Sequence, residues 1–193
     1  NDLGCTTLTA SAHKFGGPVG IGLLIVKDGV KLKPLAFGGH QQRGQRPGTE
    51  SVLLATGLAA AYAAAVRDLE TTARHGHAMR ACFLDELRKH GCSFVLNGPA
   101  PGDPDSQPTT LNLSFPGCRA ELLLMALDLA GIACSTGSAC SSGSLLPSPT
   151  LQAMHVPDYV LQSAMRFSFG WNQNEGEVVE AARRVADAVK GMG

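Results

Sequence analysis

Apolar and polar positions alternate with period two in some stretches of the chain and with helical period in others. Residues 3–10 are short, Thr-rich and punctuated by Gly4, which predicts a strand leading into a turn at His13-Lys14. Residues 20–26 (GIGLLIV) are apolar and partly β-branched, the pattern of a buried strand. Residues 93–96 can form a short strand. Residues 110–115 alternate around Leu111, Leu113 and Phe115. Residues 164–169 place Met165, Phe167 and Phe169 on one side and Arg166 and Ser168 on the other. From residue 50 to about residue 90 there is no proline and alanine dominates 59–65, which predicts two helices or one helix bent near Gly76. Residues 120–130 are apolar nearly all round except for Glu121 and Asp128, so a mostly buried helix is expected. Asn174 and Glu177 form a capping-box-like start to a last helix with an apolar stripe of Val178, Ala182, Val185 and Val189. Glycine-rich 38–49 and proline-rich 98–108 read as loops. Strands alternating with helices, without an internal repeat, make this an α/β or α+β chain.

Composition narrows the function classes. With 193 residues, 44% apolar content and a mean hydropathy of +0.05, the chain can bury a full core. Lys+Arg and Asp+Glu balance at 16 each, so no global field favours nucleic acid or an anionic membrane. Apolar runs are short for a spanning helix and no signal peptide opens the chain, so a cytoplasmic location is expected. The Asn112-Leu113-Ser114 sequon carries no meaning without secretion. The six cysteines show neither a CxxC pair nor a structural-zinc spacing. Cys5, Cys82, Cys92, Cys118 and Cys134 read as small buried hydrophobes. The opening Asn1-Asp2-Leu3 looks like the interior of a longer protein.

Cys140 is different. Residues 135–144 (STGSACSSGS) are all small and mostly Ser or Gly, a stretch that cannot pack a core and behaves as a tether. The six-residue arms 134–140 and 140–146 could each carry the thiol through roughly 20 Å when extended, at about 3.3–3.6 Å per residue. Far upstream, Ser11-Ala12-His13-Lys14 precedes Phe15-Gly16-Gly17-Pro18. A polar turn explains Ser-x-His-Lys by itself. A lysine held between two strands can instead sit desolvated and act as a Schiff-base nucleophile, with Ser11 and His13 beside it as phosphate donors, a combination suited to pyridoxal phosphate.

SAHKFGGPVGIG (11–22), RGQRPGT (43–49), GSACSSGSLLPS (137–148) and MRFSFG (165–170) occur in the order seen in cysteine desulfurases of the NifS/IscS type, and the chain resembles the C-terminal half of such an enzyme. The resemblance implies a fold-type I, pyridoxal-phosphate-dependent α/β architecture. Residues 1–68 would complete the large cofactor domain with its mainly parallel sheet, and residues 69–193 would form the small domain with a mobile loop at 135–147. It implies that Lys14 forms the Schiff base with pyridoxal 5'-phosphate and then shuttles protons, that Ser11 and His13 contact the phosphate, and that Thr49 reaches the cofactor of a neighbouring subunit in a homodimer. Arg166 would hold the carboxylate of L-cysteine, a role to which its bidentate fork is suited. Cys140 would attack the substrate sulfur, carry it as a persulfide and pass it to an iron–sulfur scaffold or other acceptor. No resident metal is implied, although Cys140 could share a transient iron–sulfur cluster.

Two positions depart from the pattern: Gln42 stands where the family often has an acid, and Trp171 where it often has a basic residue. The ring-stacking residue, the acid at the pyridine nitrogen and one phosphate loop lie upstream of the lysine in the family and are not among these residues. Cofactor binding by these residues alone should therefore be weak. A selenocysteine lyase or another class V aminotransferase relative would keep the cofactor and change the substrate. A non-catalytic fragment that only docks a dimer mate or scaffold is the alternative of another class.

Overall fold

A computed structural model describes residues 3–100, 102–103, 105–137 and 148–192. The chain divides into two compact units, Asn1–Leu69 and Glu70–Gly193. No single helix among the described residues is long and apolar enough to cross a membrane.

In the first unit, β1 (Thr7–Ser11) pairs antiparallel with β2 (Gly22–Val26), running from Thr7 opposite Val26 to Ser11 opposite Gly22. The only strand pair among this unit's described residues is antiparallel. The expectation of a buried β2 is corrected: Leu24 is 53% and Ile25 58% exposed. The physical reason is plain. A two-stranded ribbon satisfies backbone groups along one edge of each strand, yet it needs another layer to cover its faces. The helix α1 (Val52–Arg67) is alanine-rich, and Ser51 caps it by accepting a hydrogen bond from Leu54 N–H at 3.3 Å. α1 supports the link between the strands. The Phe15 and Tyr62 rings meet edge to face at 6.4 Å, and a Cβ on Gly57 would stand 3.0 Å from Pro18.

The second unit holds the core. β3 (Val95–Leu96), β4 (Thr110–Ser114) and β5 (Ala164–Ser168) form an antiparallel sheet in the order β3-β4-β5. The alternation in 110–115 and 164–169 appears as expected. Leu111, Leu113, Phe115, Met165, Phe167 and Phe169 are buried, while Asn112 and Arg166, directly opposite one another, belong to the other face. The apolar side is covered by α2 (Leu69–Lys89), α3 (Ala120–Leu129) and α6 (Glu175–Lys190) through Phe83, Leu84, Leu87, Leu123, Leu127 and Val185. Phe83 lies 5.0 Å from Phe167 and 5.6 Å from Phe169, so one side chain ties α2 to β5 and the residue beyond it. Two short helices, α4 (Pro149–Ala153) and α5 (Asp158–Leu161), precede β5. The capping box of α6 is present: Glu177 N–H donates to Asn174 Oδ1 at 3.0 Å and Asn174 N–H to Glu177 Oε2 at 2.8 Å.

Two helix expectations change. The break in 50–90 falls at Asp68, between α1 and α2, while Gly76 lies inside an unbroken helix. Gly76 is there for close approach. A Cβ would lie 2.7 Å from Pro108 O and 2.9 Å from Pro108 C, so glycine lets the proline-rich loop lie against α2. One turn on, Arg80 is 3% exposed and Nη1 donates to Ser106 Oγ at 3.0 Å and to Gln107 O at 2.7 Å, tying the same loop down. Gly76→Ala should therefore lower stability by about 1–2 kcal/mol, overpacking outweighing the helix-propensity gain of roughly 1 kcal/mol. The urea midpoint should fall with an unchanged slope. An unchanged or higher midpoint would show that the loop gives way freely. In α3 only one stripe is buried: Leu123 and Leu127 are covered, whereas Leu122 and Met125 are exposed and Leu129 is 88% exposed. Its other side has no covering element among the described residues of this unit, so all-round apolarity does not become all-round burial.

Candidate active site

The Lys14 segment is a single 3-10 turn, Ala12–Phe15, set between β1 and β2. Ala12 is fully buried and anchors it. Ala12 N–H donates to Ile21 O at 3.1 Å, and Gly17 N–H returns to Ala12 O at 2.9 Å. Gly16 closes the turn at φ 84°, a conformation that favours glycine. A Cβ at Gly17 would lie 2.9 Å from Ala12 Cβ, and one at Gly22 would lie 2.6 Å from Ala10 O. The Gly-Gly-Pro and Gly-x-Gly spacing is thus what lets the return strand lie close to the turn. Ser11, His13 and Lys14 are presented from this rigid frame on successive exposed positions around Ala12. Nothing among the described residues of its unit stands over the turn, and Lys14 is exposed there. Its amine makes no hydrogen bond or ion pair with the described residues.

Thr49 is exposed and follows Gly48, whose φ is 110°. The loop before it contains two successive non-glycine residues in the left-handed region, Gln42 at φ 50° and Arg43 at φ 56°. Such residues cost about 1–2 kcal/mol each and need local compensation. Gln42 Nε2 donates to Glu50 Oε1 at 2.6 Å and Gly48 N–H to Gln41 Oε1 at 3.2 Å. Gln42 therefore closes the loop onto the residue beside Thr49, which gives this departure from the family pattern a structural role.

In the second unit, Arg166 is half-buried on β5. Ser135 forms an isolated antiparallel bridge with it: Arg166 N–H donates to Ser135 O at 2.6 Å and Ser135 N–H to Arg166 O at 3.1 Å. The Ser135 hydroxyl then turns the chain by bonding Gly137 O at 3.1 Å and accepting from Gly137 N–H at 3.3 Å. The backbone leading to Cys140 thus leaves the sheet beside Arg166. Cys140 itself lies outside the described residues. Four of the other thiols are set against nucleophilic work. Burial pushes Cys92 and Cys134 up to about 11, and it raises Cys82 and Cys118. Cys92 and Cys118 are buried, whereas Cys5, Cys82 and Cys134 are only partly so.

The structure brings Ser11, His13 and Lys14 onto one turn, and Arg166 next to the start of the cysteine segment; the two groups belong to different units. One feature of the site was not seen in the sequence. Asn97, Asn112, Arg166 and Ser135 form a polar row across successive strands of the second sheet. The alternation in β4 contained the signal, since Asn112 falls on the face opposite Leu111 and Leu113.

Residues 1–180 match the family model "Aminotransferase class-V", and the chain belongs to that family. It is 43% identical over 184 residues to a putative cysteine desulfurase, IscS 1, of Bacillus subtilis, covering 95% of this chain and 48% of that protein. It is 36% identical over 183 residues to the cysteine desulfurase NifS of Azotobacter vinelandii, covering 94% of this chain and 44% of that protein. A solved NifS-like protein superposes with a TM-score of 0.84 at 32% identity, over 98% of this chain and 47% of that one. The chain spans about half the length of these relatives.

Proposed function

We propose that the protein to which this chain belongs is a pyridoxal-phosphate-dependent cysteine desulfurase that converts L-cysteine to L-alanine and keeps the sulfur as a Cys140 persulfide. The observation carrying this reading is the pairing of Arg166 with Ser135, which ties the route to Cys140 to the strand of the proposed carboxylate-binding residue. The relatives' names support the same activity.

The residues present fit the cofactor. A primary amine without a partner among the described residues stands on a turn beside a hydroxyl and an imidazole, the donor set for an aldehyde and a phosphate. Lys14 would hold the aldehyde carbon covalently, Ser11 and His13 would take the phosphate, and Thr49 would reach the phosphate of a dimer mate. When bound, pyridoxal phosphate supplies an electron sink for the substrate's α-carbon. Arg166 fixes the substrate by a bidentate grip on its carboxylate. The Lys14 amine, once free, takes the proton from the α-carbon and serves as the local acid–base group. The Cys140 thiolate attacks the substrate sulfur: the S–S bond forms, the Cβ–S bond breaks, and its electron pair is taken up with a proton as the β-carbon becomes the methyl of alanine. The two sulfurs of the persulfide together lose the two electrons that the carbon gains, so no further redox partner is needed. The persulfide then passes to an iron–sulfur scaffold or other acceptor protein.

The test uses the full-length protein with L-cysteine and excess dithiol. Equimolar L-alanine and sulfide are expected. Pyruvate with ammonia, or amino-group transfer to a keto acid, would overturn the reading in favour of a lyase or an aminotransferase.

A further inference from the structure

The polar row beside Arg166 has a direction, and hydrogen-bond accounting sets it. Ser114 is fully buried and its hydroxyl donates to Val160 O at 2.6 Å. With its one proton committed, Ser114 Oγ can only accept. The Asn97 atom facing it at 2.7 Å must therefore be Nδ2, a donor. The same Nδ2 meets Asn112 at 2.8 Å, so the Asn112 atom on that side must be Oδ1. A buried carbonyl in α5 thus dictates the orientation of two amides, one after the other.

The consequence falls at Asn112. Asn97 flanks it on the β3 side, where Asn97 N–H donates to Asn112 O at 2.9 Å. Arg166 stands directly opposite on the β5 side. With Oδ1 engaged by Asn97, Nδ2 is the end of the amide left to meet a ligand beside Arg166. It has no partner among the described residues and is not sealed from solvent. Facing cross-strand side chains lie within about 5.5 Å of each other at Cβ, close enough to share one small ligand. An amide flipped the other way would present an acceptor beside the guanidinium and compete with any anion bound there.

We propose that Asn112 Nδ2 donates a second hydrogen bond to the substrate carboxylate that Arg166 holds, and that Asn97 is the positioning residue that keeps this amide turned donor-first. The proposal rests on the reading of Arg166 given above. It gives the carboxylate site two donors on neighbouring strands. It also makes an asparagine that touches no substrate a determinant of substrate affinity.

The experiment compares L-cysteine with L-cysteinamide, which lacks the carboxylate charge, on the full-length enzyme and its Arg166→Ala, Asn112→Ser and Asn97→Asp variants. In Asn97→Asp the new carboxylate can only accept at neutral pH, so Asn112 would turn its Nδ2 toward it and away from Arg166. Asn112→Ser and Asn97→Asp should each raise KM for L-cysteine about tenfold, within the range of a hydrogen bond to a charged group. Neither should change kcat, nor KM for L-cysteinamide. If Arg166→Ala raises KM for L-cysteine while the two asparagine variants leave it unchanged, or raise both substrates alike, the asparagine proposal is overturned and the Arg166 reading stands. If Arg166→Ala leaves the preference for L-cysteine over L-cysteinamide intact, the Arg166 reading falls and takes this one with it. Side-chain amide NMR on 15N-asparagine-labelled enzyme adds a readout independent of turnover and of variant folding. The Asn112 resonances should move with L-alanine and stay put with L-alaninamide, and no movement with L-alanine overturns the proposal.

Discussion

Replacing Lys14 with alanine in the full-length protein should lower desulfuration of L-cysteine by at least about 10²–10⁴-fold, the range supplied by one positioned acid–base group. The absorbance band of lysine-bound cofactor should disappear with it. The melting curve of the cofactor-free form should hardly move. Lys14 is exposed and its amine has no partner among the described residues. The turn is instead held by buried Ala12, its hydrogen bond to Ile21 and the return from Gly17. Surface substitutions of this kind fall within about ±0.5 kcal/mol. The pair of readouts discriminates: lost turnover with an unchanged melting curve marks a chemical role, whereas equal loss of both would mark a structural lysine. A protein acting only as a docking module would show no band to lose.

Cys140→Ala should abolish sulfur transfer from L-cysteine, with a loss of at least about 10³-fold, because the attacking thiolate is removed. Cys134 is the neighbour in sequence, yet burial holds its thiol up at about 11. At pH 8 only about a thousandth of such a thiol is ionised. Cys92 is in the same position. Turnover of L-selenocysteine is the informative control. Selenium leaves carbon more readily than sulfur does, so a variant that keeps selenocysteine activity and loses cysteine activity supports the persulfide route. Cysteine turnover that survives in Cys140→Ala refutes it.

Local patterns were read correctly where the answer depends on near neighbours. Asn174 and Glu177 cap α6 because both partners of a capping box lie within one turn. β4 and β5 alternate as expected because side-chain direction in a strand has period two whatever surrounds it. The Ser11–Lys14 turn was legible because Gly-Gly-Pro after a strand has few alternatives. Patterns that depend on a missing or distant surface were misread. β2 looks like a buried strand from composition, yet Leu24 and Ile25 are exposed. α3 looks apolar on every side and buries one. Gly76 suggested a bend and instead admits the Pro108 backbone.

Thus the order and identity of the reactive groups, with the amine on its turn, the arginine on its strand and the thiol in a run too small to pack, belong to the primary structure, since each depends on residue type and short spacing. Their aim belongs to the tertiary structure. Only antiparallel pairing could bring Ser135 to Arg166, thirty-one positions later in the chain, and set Asn97 and Asn112 in the same row. Only the buried Ser114–Val160 hydrogen bond could decide which way those amides point. A hydrogen bond has direction, and that direction is passed on through contacts between strands and helices that no local stretch of sequence contains.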